Sequence, residues 1–294
     1  MKKSLLLLLA ALCLGCLSAS AQNVQTLEDS RYSLSNGDVT MVVDAAHGGK
    51  ILSFKLGDRE VLNQGRFPNS FGSTFWTSPQ AEWNWPPVAE YDTKPFEATV
   101  QDGCLLLTGQ KSERFGYRIR KEFRVDPKDG AFVLKYTIVN ESGETRQVAP
   151  WEISRVPNDG VLFFEAKAVE PANNMAGLPF EFKHKAAWYV MDEARENRKI
   201  NADGKGWLAY CAGGLLFVKK FQDLKTGEPA PAEAEIQAYA NPGKTFVEIE
   251  EQGPFKTLES GAELDWTVRW YLLPYDGAAA PSKALLKKAR KIAR

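Results

Sequence analysis

From Leu264 to Leu272, Leu264, Trp266, Val268, Trp270 and Leu272 hold every second position against Asp265, Thr267, Arg269 and Tyr271. Side chains alternate across a strand but step by about 100° around a helix, so this spacing admits a strand with one apolar face and excludes a helix. The same period recurs. Tyr117, Ile119, Phe123 and Val125 share one parity, and Arg118, Arg120, Glu122 and Arg124 the other; Phe132, Leu134, Tyr136 and Ile138 line a further buried face. Such runs commit the chain to half-buried antiparallel strands.

Turn chemistry punctuates them. Asp102-Gly103 sits between Phe96–Gln101 and Cys104–Gly109 and supplies the positive φ angles of a two-residue hairpin. Pro127-Lys-Asp-Gly130, Asn140-Glu-Ser-Gly143, Asn158-Asp-Gly160 and Gly213-Gly214 mark further reversals. Shorter strands are expected at 40–44, 50–56, 60–62, 148–156, 161–165, 207–211, 215–221, 235–239 and 246–251. Residues 166 to 205 carry no clear period. Only Ser282 to Arg294 reads as a helix, a basic one with Leu285, Leu286, Ala289 and Ile292 on its apolar side. With no repeat, low-complexity tract or linker, the expected architecture is all-β: one large antiparallel sandwich with a short C-terminal helix.

Lys2-Lys3, the apolar run Leu5 to Leu17 and Ala19-Ser20-Ala21 follow the order of a secretory signal peptide. Residues 1–21 are therefore expected to be removed, leaving a β domain over 22–294 in the periplasm or outside the cell. A lipoprotein anchored through Cys16 is the rival arrangement. The run is too short to span a bilayer comfortably, so no membrane span is expected. Without Lys2 and Lys3 the chain has 35 basic against 37 acidic residues, which leaves no electrostatic footprint for nucleic acid. Cys104 and Cys211 then remain, as one disulfide or as two free thiols.

Hydrolase, nucleotide and zinc-protease motifs are missing, and His47 and His184 alone cannot make a multi-histidine zinc site. No cofactor and no metal are expected. What stands out is Phe71 to Pro87. It holds Trp76, Trp83, Trp85, three prolines and one charged side chain, Glu82. Proline donates no N–H and keeps its predecessor out of the α region, so the segment is expected to be an extended loop. Aromatic rings with Gln80, Glu82 and Asn84 between them suit a sugar, a polar ligand with flat apolar faces. Packing over one end of a core is the other reading. Two strands add carboxylates. In Phe246 to Glu251, Glu248 and Glu250 oppose Val247 and Ile249; in Trp151 to Arg155, Trp151, Ile153 and Arg155 oppose Glu152 and Ser154.

Gly49-Lys-Ile-Leu-Ser-Phe54 with Gly57-Asp-Arg-Glu-Val-Leu62, Ile249-Glu-Glu-Gln-Gly-Pro254 with Leu258-Glu-Ser-Gly261, and Arg269-Trp-Tyr-Leu272 resemble galactose mutarotase-like proteins over the whole chain after the signal segment. Trp76-Thr-Ser-Pro-Gln80, Glu82-Trp-Asn-Trp-Pro-Pro87 and Pro150-Trp-Glu-Ile-Ser-Arg155 are similar to the secreted bacterial DUF4380 group, which has no established function. The resemblance implies a β-supersandwich and puts Glu250 where mutarotases hold the carboxylate that takes the anomeric proton. Where that family places two histidines, this chain has Phe71 and Trp76, and Trp151 and Glu152. Glu152 would then be the substitute proton donor, giving a glutamate pair whose environments set the two pKa values apart.

Three functions follow. The first is a secreted carbohydrate-binding protein using Trp76, Gln80, Glu82, Trp83, Trp85, Trp151, Arg155 and Glu248. The second is a sugar-active enzyme (an epimerase, or a diverged hydrolase or lyase) with Glu250 as general base and Glu152 beside it. The third is a structural or interaction protein whose tryptophans are core.

Overall fold

The computed structural model describes residues 23–67, 70–166, 169–171, 177–193 and 195–294. The expected signal segment and its rival lipid site, Cys16, lie outside them. The strands form two large antiparallel sheets, one of twelve strands and one of ten, among the described residues. Their facing sides enclose the main core, where Phe54 meets Phe132, Phe217 and Trp270, and Phe75 stacks on Tyr136 at 4.3 Å. The long alternating strands supply this packing: Tyr117–Val125, Phe132–Asn140 and Glu263–Pro274 run side by side in the ten-stranded sheet. Asp102-Gly103 closes the hairpin at φ +51° and +74°.

The segment after Phe71 departs from expectation. Ser73–Ser78 is a central strand of the twelve-stranded sheet, buried along its whole length, between Lys50–Leu56 and Arg146–Pro157. Proline bars a strand only where it stands, and the first one here is Pro79. The tryptophan loop proper is 79–87, opened by the short 3-10 turn Gln80–Glu82. Residues 166–205 also hold structure the sequence did not signal: Val169–Pro171 and Arg198–Ala202 extend the twelve-stranded sheet, and Ala186–Val190 with Glu181–Lys183 extend the other.

The helix Lys283–Ala293 is capped by the Ser282 hydroxyl, which accepts from the Leu285 N–H. It lays Leu285, Leu286 and Ala289 on the outer face of the ten-stranded sheet, over Phe163, Trp188, Trp207 and Cys211. Cys211 and Cys104 are free thiols on strands of that sheet five positions apart, ~24 Å at the usual strand spacing, far beyond disulfide reach.

An ion cluster crosses between the sheets. Lys219, from the ten-stranded sheet, is fully buried and reaches Glu152 at 3.0 Å and Glu251 at 2.5 Å on paired strands of the other. Burial and Glu152 push the Glu251 carboxyl well above its usual range. Burial also opposes charge on Glu152, but Lys219 outweighs it and holds that carboxyl low. One lysine thus neutralises one ionised glutamate, with Glu251 protonated. Removing the cation strands a buried charge, so Lys219→Met is expected to lower stability by ~3–5 kcal/mol in urea unfolding, and Glu152→Gln in the same chain to restore part of it.

Candidate functional site

The outer face of the twelve-stranded sheet, turned away from the core, carries the functional side chains. Register sets which ones. Trp151 pairs with Trp76 on one side and Gln252 on the other; Ile153 faces Thr74 and Glu250; Arg155 faces Glu248. Residues directly opposite in a ladder share a face, so Trp76, Trp151, Arg155, Glu248 and Glu250 come together. The next strands add Gln237 opposite Glu250, Tyr239 opposite Glu248, and Lys199 opposite Tyr239.

Glu152 is not among them. It pairs with Glu251 across the same strands and points inward to Lys219, on the opposite side of the sheet from Glu250. The two glutamates therefore form no acid–base pair. The period-two reading of Trp151 to Arg155 gives this division; which side was core could not be read from it.

The tryptophans hold one another. Trp76 and Trp151 meet edge to face with centroids 5.5 Å apart, and Trp83 packs on Trp76 at 5.4 Å. Their indole N–H groups are committed: Trp76 donates to Asp92 Oδ1, Trp83 to the Thr77 carbonyl and Trp151 to Glu250 Oε2, each at 2.9 Å. All three are at most 3 % exposed, whereas Trp85 is 58 % exposed, with its ring 6.2 Å from Trp76. Only Trp85 offers an open ring face. Gln80 is half-buried, its backbone N–H donating to Glu233, and Glu82 is exposed at the loop surface.

Asp92 anchors the wall. Besides the Trp76 indole it accepts from the Thr74 hydroxyl and pairs with buried Lys50 at 2.9 Å. Gly48 lets the neighbouring turn approach: it sits at φ +68°, and a Cβ there would lie 2.2 Å from the Asp92 carbonyl oxygen. Arg155 is equally fixed, bonded to Glu248 at 2.7 Å and lying 5.7 Å over Trp76. Only 1 % of it is exposed and its charge is matched by Glu248, so it shapes the wall, with its Nε buried and without an acceptor among the described residues.

Glu250 is the chemically distinctive group. Its Oε2 accepts from Trp151 and lies 3.4 Å from Lys199, whose ammonium sits 4.6 Å over the Trp151 ring. Its Oε1 has no partner among the described residues, nor has Oε1 of the neighbouring Gln237. Burial pushes the carboxyl up to about 7 against the opposing pull of Lys199. Lys199 and Glu248 keep 13 % of their side chains exposed at the rim, against 1 % for Glu250. Sequence reading missed Lys199, Gln237 and Asp92. Lys199 and Gln237 hold alternating strand positions, so a period-two scan of Arg198–Ala202 and Ile236–Ala240 is the signal that finds them.

The native state thus prefers Glu250 protonated. Its ionisation begins to weigh against folding as pH rises past the ordinary carboxyl range and does so fully above about 7. Glu250→Gln removes that load while still accepting from Trp151. The variant should match wild type near pH 4.5 and exceed it by roughly 1–3 kcal/mol at pH 8 in denaturant unfolding.

No protein-family model and no curated protein matches this chain. Solved structures do. A galactose mutarotase-like protein from Lactobacillus casei superposes with a TM-score of 0.59 at 12% identity, covering 82% of this chain and 99% of that one. A galactose mutarotase related enzyme from Lactobacillus acidophilus gives 0.60 at 11%, over 84% and 99%. A candidate aldose 1-epimerase from Escherichia coli K12 gives 0.62 at 13%, over 83% and 99%. At these identities the likeness speaks for architecture, and it shows that the chain has the galactose mutarotase-like β-sandwich fold.

Proposed function

We propose that this is a carbohydrate-binding protein, acting in the periplasm or outside the cell, whose ligand lies on the outer face of the twelve-stranded sheet. One observation carries the reading. An open indole face, Trp85, adjoins a buried wall of tryptophans that ends in two polar atoms without partners among the described residues, Glu250 Oε1 and Gln237 Oε1. A buried polar atom left unpaired costs ~1–3 kcal/mol, and a sugar hydroxyl, which both donates and accepts, removes this cost. A sugar also offers the C–H face that stacks on an exposed indole. The fold neighbours, named for galactose and aldoses, support the ligand class. The Trp76–Gln80, Glu82–Pro87 and Pro150–Arg155 motifs support a place with the DUF4380 group.

A second reading has its own support. A carboxyl near 7 is suited to proton transfer at neutral pH, so Glu250 is the residue on which an epimerase or a diverged lyase would depend. The inward turn of Glu152, which leaves Glu250 without a second carboxyl beside it, favours binding.

Tryptophan fluorescence titrated with a glycan panel tests the first reading. Trp85→Ala should weaken the best ligand about tenfold. No quench with any glycan in wild type would overturn it. Anomer exchange and glycan cleavage, followed in wild type and Glu250→Gln, separate the two readings. Background rates in both support binding alone; a wild-type rate reduced ~10²–10⁴-fold in the variant establishes the enzyme.

A further inference from the structure

A recess of about 240 Å³ opens on the same sheet face. Arg31, Val42, Leu52, Arg66, Phe71 and Gly72 are among its lining residues. It adjoins the tryptophan wall directly. The Arg155 backbone N–H donates to the Gly72 carbonyl at 3.2 Å, and the Arg155 guanidinium to the Phe71 carbonyl at 3.4 Å.

The charge around it is unbalanced. Arg155 is neutralised by Glu248, and Lys50 by Asp92. Arg31 and Arg66 have no ion pair among the described residues, and Arg31 Nε is buried without an acceptor. The nearby carboxylates are already held: Glu60 by the Ser53 hydroxyl and the backbone N–H groups of Phe54, Val61 and Leu62, and Asp44, opposite Arg31 in the ladder, by His47 Nδ1 and the Ala46 N–H. The Arg66 guanidinium lies 4.7 Å over the Phe71 ring, and both line the recess. Two guanidinium groups at one concavity, one with a buried N–H to satisfy, form a receptor for an oxyanion.

We propose that this recess is an anion-recognising subsite, and that the ligand of the sheet face is an acidic sugar whose carboxylate or sulfate is held by Arg31 and Arg66. The proposal rests on the sugar-binding reading and narrows its substrate class. A sugar ring near Trp85 and an acidic ring at Phe71 would be units of one chain.

Isothermal titration of the full chain with hexuronate oligosaccharides, their carboxyl-reduced counterparts and sulfated neutral counterparts tests it. An acidic series should bind about tenfold tighter than the neutral one, and Arg31→Gln or Arg66→Gln should each remove most of that preference. The tighter acidic series identifies the oxyanion. Equal affinity of wild type for acidic and neutral series overturns this inference and leaves sugar binding standing. No heat with any series overturns both. Free acetate or sulfate binding as tightly as the oligosaccharides shows a simple anion site and also overturns it. The wild-type comparison needs no variant, so misfolding of either substitution leaves the test intact.

Discussion

The strand Arg146–Pro157 is covered on both faces, and the rest of the molecule is arranged around that constraint. Nine of its twelve residues are buried, in an unbroken run from Val148 to Val156. A strand with one wet face can discard its polar side chains to solvent; this one cannot, so each charge on it needs a partner within reach. Glu152 finds Lys219 through the core, and Arg155 finds Glu248 on the outer face. The two ion pairs have different tasks. The inner one joins the sheets, and the outer one stiffens the floor on which Trp76 and Trp151 stand.

Much of this was legible because the period of two is a strong signal. Leu264 to Leu272 and Tyr117 to Val125 could be nothing but strands, and Asp102-Gly103 fixed one hairpin register. Trp151 to Arg155 was read with the right division of faces. The direction of those faces was not, because Glu152 looks like a surface carboxylate until Lys219 is placed opposite it, and that contact spans residues distant in sequence. Prolines misled in the Phe71 to Pro87 stretch, where the buried Ser73–Ser78 run precedes the first of them. Lys199 and Asp92 escaped because short strands and a single helical turn, Ala89–Asp92, leave little periodicity to detect.

Exposure divides the aromatic cluster by role. Trp76, Trp83 and Trp151 each give both their ring faces and their N–H to the protein, which makes them a rigid wall. Trp85 is left to meet the outside. A preorganised wall beside one open ring suits recognition, since little side-chain freedom is lost when a ligand arrives.

Glu250 and Glu251 are adjacent in the chain yet belong to different worlds, one in the outer wall with Trp151 and Lys199, the other in the core with Lys219. A slip of one residue in the Phe246–Gln252 ladder would exchange them, and would also turn Val247 and Ile249 out of the core. The connection from Ala240 to Phe246 therefore serves as a length gauge. It is tied off by Asn241, which donates to the Thr245 hydroxyl, and by Thr245, whose carbonyl accepts from Asn63. Insertions or deletions in this short loop would scramble both the seam between the sheets and the ligand face at once.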